Sequence, residues 1–208
     1  IKMAGVYCGR SAIRSGGTNL QKTADSFKKG DRLLLADTLG QMLPRYELHP
    51  VGEETFFDLF QLEESNAHYF AYEQDHPLTY EEAIEDIMKM PPELSPQQKQ
   101  VFGLYRDGRM LAVADWAEGY PEADIVWIGL FMVDAGCARQ GIGREVIETF
   151  CRAARENQFK KIRLGCIAEN VEGLAFWQAM GFVPIDRVHR ENPGKRPWEL
   201  IFMQRELS

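Results

Sequence analysis

The stretch from Asp124 to Glu156 constrains this chain more than any other. It opens with nine uncharged, mostly apolar residues, Ile125-Val126-Trp127-Ile128-Gly129-Leu130-Phe131-Met132-Val133. Such a run suits a strand covered on both faces. A loop follows, ending Ala138-Arg139-Gln140-Gly141-Ile142-Gly143-Arg144. Val146, Ile147, Phe150, Cys151 and Ala154 then recur at helical spacing, which predicts a helix over Gly143–Asn157. Strand, glycine-bearing turn and helix together make an anion site, because a helix start carries unpaired N–H groups and a partial positive charge. Gly141 and Gly143 place no side chain between a phosphate and the backbone. Arg139 and Arg144 add charge-assisted hydrogen bonds, and cations at a helix start are unfavourable unless an anion joins them. The stretch reads as a pyrophosphate cradle.

The remaining segments fit around it. Residues 1–44 form an N-terminal extension, with a short strand predicted in Met3–Cys8 and a helix in Asp31–Leu43, and residues 45–208 form the main domain. In the latter, Tyr46–His49 suits a strand and Glu53–Glu64 a helix with an aromatic core face. Thr79-Tyr80-Glu81-Glu82 is a capping box that opens a second helix, stopped by Pro91-Pro92. The polar-aromatic loop between these helices, Asn66–Pro77, carries His68, Tyr69, Tyr72, Glu73, Asp75 and His76, residues that suit a binding surface or ordinary packing. Asp107-Gly108 marks a hairpin between Val101–Tyr105 and Met110–Trp116. After the cradle come a strand (Ile162–Cys166), a helix (Leu174–Met180) capped by Gly181, and a strand pair around Glu191-Asn192-Pro193-Gly194. That order predicts an α/β (α+β) sandwich about a mixed sheet.

Composition narrows the function. A net charge of −7 argues against nucleic acid as the main partner and leans toward a cationic one. No apolar run approaches the roughly twenty residues a membrane helix needs. Cys8, Cys137, Cys151 and Cys166 are scattered, with no CxxC pair, so neither a metal site nor a disulfide is expected and a reducing cytoplasm is the expected setting. The glycine turn is not a Walker A, since no GK[ST] follows, and Val146 stands where a dinucleotide motif has its third glycine.

The arrangement from Val133-Asp134 to Arg139-Gln140-Gly141-Ile142-Gly143-Arg144 resembles the acetyl-CoA pyrophosphate motif of the Gcn5-related N-acetyltransferase (GNAT) superfamily. Asn170-Val171-Glu172-Gly173-Leu174-Ala175-Phe176-Trp177-Gln178-Ala179-Met180-Gly181-Phe182 is similar to its second signature, an Asn and a short helix ending in Gly-Phe. The resemblance implies a central, mostly antiparallel sheet with splayed middle strands and flanking helices. It implies acetyl-CoA as cosubstrate, held by Phe131, Met132, Val133, Arg139, Gln140, Gly141, Ile142, Gly143, Arg144, Asn170, Phe176 and Trp177. It further implies direct acetyl transfer to a primary amine of a small molecule or peptide, in a ternary complex. Backbone N–H groups at Met132 and Val133 would stabilise the oxyanion.

Three positions depart from the family pattern: Ala138 replaces a Gln or Arg, Gly173 an Ala, and Trp177 the tyrosine that often serves as general acid. An indole N–H donates a hydrogen bond but not a proton at neutral pH. Asp124 is the expected general base by analogy with the family, with Glu118, Asp115, His68 and His76 as rivals, while His189 suits the surface. Two alternatives stay open: a non-catalytic acyl-CoA-binding or sensor module on the same fold, and a role for residues 1–44 in forming a homodimer.

Overall fold

The computed structural model describes residues 3–4, 35–190 and 198–207. Among these, eight strands form one sheet: β1 (Met3–Ala4), β2 (Glu47–Pro50), β3 (Lys99–Arg106), β4 (Arg109–Glu118), β5 (Ile125–Val133), β6 (Lys161–Ile167), β7 (Val183–Arg190) and β8 (Trp198–Glu206). The path across it is β2-β3-β4-β5-β6-β8-β7, with β1 paired to β5 off that path. Every pairing is antiparallel except β5–β6, whose connection is a helical crossover, the geometry a parallel pair requires. The β3–β4 hairpin turns at Asp107 and Gly108, both at positive φ (54° and 73°), as the Asp-Gly pair predicts.

Helices cover both faces. On one, α1 (Leu35–Met42), α5 (Ile142–Glu156) and α6 (Val171–Ala179) bury Leu39, Val146, Phe150 and Trp177. On the other, α2 (Phe56–Ser65), α3 (Ala67–Phe70) and α4 (Tyr80–Met88) bury Leu59, Tyr69 and Ile87. The Thr79 capping box forms in full: Thr79 Oγ1 accepts from the Glu82 N–H at 3.2 Å, and Glu82 accepts from the Thr79 N–H at 3.0 Å. Helix α1 is tied to α5 by Asn157 Nδ2, which donates to Thr38 Oγ1 at 2.9 Å. So the latter part of the expected extension is packed into the core. The rest of the expected Met3–Cys8 strand and the Glu191–Gly194 turn lie outside the described residues.

The functional geometry begins with an irregularity in β5. Val126 and Ile128 face the α5 side, Trp127 the α2 side; beyond Gly129 the parity is reversed, with Phe131 and Val133 on the α5 side and Leu130 and Met132 opposite. The register with β4 slips at the same point, from Trp116 opposite Ile128 to Asp115 opposite Leu130. Gly129 is therefore the extra residue of a β-bulge, which bends its strand. Pairing of β5 with β6 stops there too, its last partners being Ile128 and Leu164, while β6 continues to Ile167 against β8. The two middle strands are closed below the bulge and open above it, as the splayed sheet expected from the motifs requires.

Candidate functional site

Above Gly129, β6 leaves one edge of β5, and among the described residues only the short β1 pairs there, at Leu130 and Phe131. The Asp134 N–H donates to the Leu111 carbonyl at 2.9 Å. By the alternation of an antiparallel ladder, Met132 turns its N–H toward β4, and Phe131 and Val133 turn theirs toward the opening. Of the two expected oxyanion donors, Val133 thus has the right direction, whereas Met132 belongs to the ladder and contributes a fully buried side chain.

The end of this strand is clamped from the α2 side. Asn66, fully buried after α2, donates from Nδ2 to the Val133 carbonyl (3.0 Å) and to the Leu62 carbonyl (3.0 Å). Ser65 Oγ accepts from the Ala135 N–H at 3.0 Å. Asp134 caps the following short 3-10 turn, accepting from the Gly136 N–H at 2.8 Å and from Arg109 Nη2 with both carboxylate oxygens at 2.9 Å. That pairing raises the Arg109 pKa. These bonds fix the strand end and loop before any ligand arrives.

The loop then delivers the chain to the start of α5. Arg139 and Gly141 both hold positive φ, 61° and 84°. Gly141 is the N-cap residue and supplies no side-chain cap, so the first N–H groups of α5 keep their capacity for an external acceptor. A Cβ at Gly141 would meet nothing within 4 Å, which leaves open space over the helix start. Gly143 has a different reason: a Cβ there would lie 3.3 Å from the Phe176 ring, so this glycine lets α6 approach α5. Arg139 is exposed and has no acidic partner among the described residues; Arg144 is exposed and pairs with Glu148 at 3.3 Å. Gln140 Nε2 donates back to the Gly136 carbonyl at 3.3 Å. Ile142 is buried beneath the turn.

On the far side of the opening, Phe131 stacks on Phe176 (centroids 6.4 Å apart) and meets Trp177 at 6.3 Å. Trp177 is fully buried among Phe131, Phe176 and Phe182, and its Nε1 has no hydrogen-bond partner among the described residues. Its ring is a packing element of the wall, and its N–H is a buried donor without an acceptor, a costly arrangement by itself. Asn170 caps α6, its Oδ1 accepting from the Gly173 N–H at 2.9 Å. A Cβ at Gly173 would come within 2.6 Å of that side chain, so the departure at Gly173 is coupled to the cap.

The expected general base sits at the closed end of β5. Asp124 precedes the closed half of β5, its carbonyl accepting from the Lys160 N–H at 2.8 Å. Asp124 and Met132 are eight positions apart, roughly 26 Å of fully extended strand. Glu118 lies opposite Val126 at the same closed end. Asp115 is buried and paired with Lys99 Nζ at 3.2 Å, which commits its charge. His68 and His189 are exposed, and exposed His76 lies 3.5 Å from Glu82.

A different carboxylate comes forward from the polar-aromatic loop, whose first residues form helix α3 rather than an irregular turn. Tyr69, one turn after Asn66, donates from its hydroxyl to Glu73 Oε1 at 2.8 Å; both residues are buried. Tyr69 packs in the same cluster as Leu130, Met132 and Trp127. Neither Asn66, as a clamp on β5, nor the Gly129 bulge is among the expectations from sequence. A lone glycine inside a strand run is the available signal for the second; the first depends on a contact 67 residues away in the chain.

Comparison with known proteins follows the same lines. A model of the acetyltransferase (GNAT) family matches residues 42–182. The fold is similar to an acetyltransferase from Thermus thermophilus (24% identity, TM-score 0.61, 77% of this chain and 96% of that one). It is also similar to the ribosomal-protein-S18-alanine N-acetyltransferase of Escherichia coli (16%, TM-score 0.52, 78% and 94%). A third is a GCN5-related N-acetyltransferase from Kribbella flavida (21%, TM-score 0.54, 78% and 98%). At these identities the likeness is one of fold. No significant match is found among curated proteins.

Proposed function

The chain belongs to the acetyltransferase (GNAT) family, and we propose that it transfers an acetyl group from acetyl-CoA to a cationic primary amine in a ternary complex. The observation that carries this reading is the pairing of a β5 edge that β6 has left with an uncapped α5 start, joined by one clamped loop. Acetyl-CoA has the matching parts: an extended amide-bearing arm for a strand edge and a pyrophosphate for a helix start. The residues present fit it. Arg139, without an acidic partner among the described residues, and the N–H groups of Ile142, Gly143 and Arg144 suit the phosphates. Trp177 Nε1, next to Phe131, is a buried donor lacking an acceptor among the described residues.

In this reading the Val133 N–H donates to the oxygen on which negative charge develops, and the surrounding apolar wall strengthens that bond by excluding water. Glu73 takes the role expected of Asp124. It is a buried carboxylate held by a tyrosine hydroxyl, with no cationic partner among the described residues, so it favours an ammonium group and can take its proton. The net charge of −7 supports a cationic acceptor as well.

A sensor reading draws on Trp177, which cannot serve as a proton donor. One experiment separates the two. The protein is incubated with acetyl-CoA and a panel of polyamines, aminoglycosides, amino acids and peptides while free thiol is measured. Enzyme-like release with any amine supports transfer. Acetyl-CoA binding without release across the panel favours the sensor, and no binding at near-millimolar acetyl-CoA removes both.

A further inference from the structure

Strand β1 has a place that the reaction does not explain. Met3 lies opposite Phe131 and Ala4 opposite Leu130, in an antiparallel pair with the open half of β5. It also packs beside β6. It therefore stands in the gap that begins where β5 and β6 stop pairing at Ile128 and Leu164. The ladder alternation that turns Met132 toward β4 turns the Phe131 N–H and carbonyl toward this gap, and Met3 is the residue that faces them. A backbone edge offers each N–H and carbonyl once. Whatever pairs with Phe131 excludes a second extended chain from the same groups.

We propose that the Met3–Ala4 strand is an internal competitor of acyl-CoA, an autoinhibitory segment that must leave the β5–β6 gap before the extended arm of the cosubstrate enters. This rests on the acyl-CoA reading of the gap given above. The segment is short, spanning roughly 7 Å of strand, so its pairing is reversible and suits a switch rather than a permanent closure. Acetyl-CoA then binds the fraction of molecules in which the gap is free, and its apparent dissociation constant is raised by the inverse of that fraction.

The test compares the full chain with the double variant M3P/A4P. Proline donates no N–H and pairs poorly within a sheet, so the variant weakens β1 without touching β5. Calorimetric titration with acetyl-CoA is expected to show about tenfold tighter binding to the variant, equivalent to a gap free in about a tenth of wild-type molecules. Equal affinity in the two proteins, or weaker binding by the variant, overturns the proposal while leaving the acyl-CoA reading intact. Absence of binding by both overturns the acyl-CoA reading and the competitor with it. Should the variant fold poorly, amide hydrogen exchange on the wild-type protein decides the same question. Saturating acetyl-CoA is expected to release protection at Met3, whose N–H faces the Phe131 carbonyl, while raising it at Val133; unchanged protection at Met3 contradicts the proposal.

Discussion

The two halves of β5 are chemically alike and structurally opposite. Ile125–Ile128 and Leu130–Val133 are both buried and uncharged, and both pair with β4. Below Gly129 the second edge is filled by β6 in a parallel ladder; above it, β6 has left and two residues of β1 stand in its place. Hydrophobicity therefore does not distinguish scaffold from site in this strand. The difference comes from one inserted residue and from the clamp of Asn66 on the Val133 carbonyl, which holds the strand end while its N–H faces outward. A strand paired on both edges gives stability; an edge that its neighbour has left gives recognition.

Proline substitution separates the halves most sharply. V133P removes the N–H aimed at the opening and is expected to lower kcat on the order of 100- to 1000-fold, the cost of one oxyanion donor, while circular dichroism still reports a folded protein. V126P, in the closed half, removes a ladder bond from a central strand and is expected to abolish the folded spectrum instead. Next in size, E73Q is expected to reduce kcat/KM for a cationic amine about a hundredfold with acetyl-CoA affinity unchanged, and D124N to leave both near wild type. Steady-state kinetics at saturating acetyl-CoA checks this, and a large D124N effect would return the base to the closed end. Smaller still, R139A is expected to weaken acetyl-CoA binding about tenfold, or about 1.4 kcal/mol, with no change in melting temperature, because the side chain is exposed.

The smallest effect concerns the core behind the site. Burial pushes the Cys151 thiol up to about 11 and the Cys166 thiol up to about 12, from an ordinary 9.0. A group whose folded pKa is raised contributes stability that is complete below its unfolded value and is lost as pH rises toward the folded one. Melting temperature is therefore expected to decline between pH 9 and 11 through these thiols. At about pH 8 neither should react with a polar thiol reagent until the chain unfolds.

Much of this is legible in the sequence, for reasons that differ by element. The capping box at Thr79, the Asp-Gly hairpin and the stripe of α5 are local signals, and each element appears within a few residues of its expected bounds. The two motifs also carry the order of elements around the cradle. What stays hidden is long-range or depends on a single residue. The nine-residue run reads as one strand, so the Gly129 bulge and the change of pairing edge do not show in its composition. Asp124 attracts the role of base because it opens the strand, but opening the strand places it at the closed end. Trp177 is expected near the cosubstrate as the replacement for a tyrosine. Its larger ring is enclosed by Phe131, Phe176 and Phe182, a packing relation that spacing alone does not reveal. Tyr69 and Glu73 stand out in sequence only as members of a polar-aromatic loop; their mutual hydrogen bond requires the α3 turn that brings them together.

The most direct test of the central claim is residue-resolved amide exchange of β5 and the α5 start with and without saturating acetyl-CoA. Protection is expected to rise at Val133, Ile142, Gly143 and Arg144 while Ile125–Ile128, already paired on both edges, stays unchanged. Saturation of the protein with no change at Val133 and the α5 start would show that the open half of β5 is not where acyl-CoA binds.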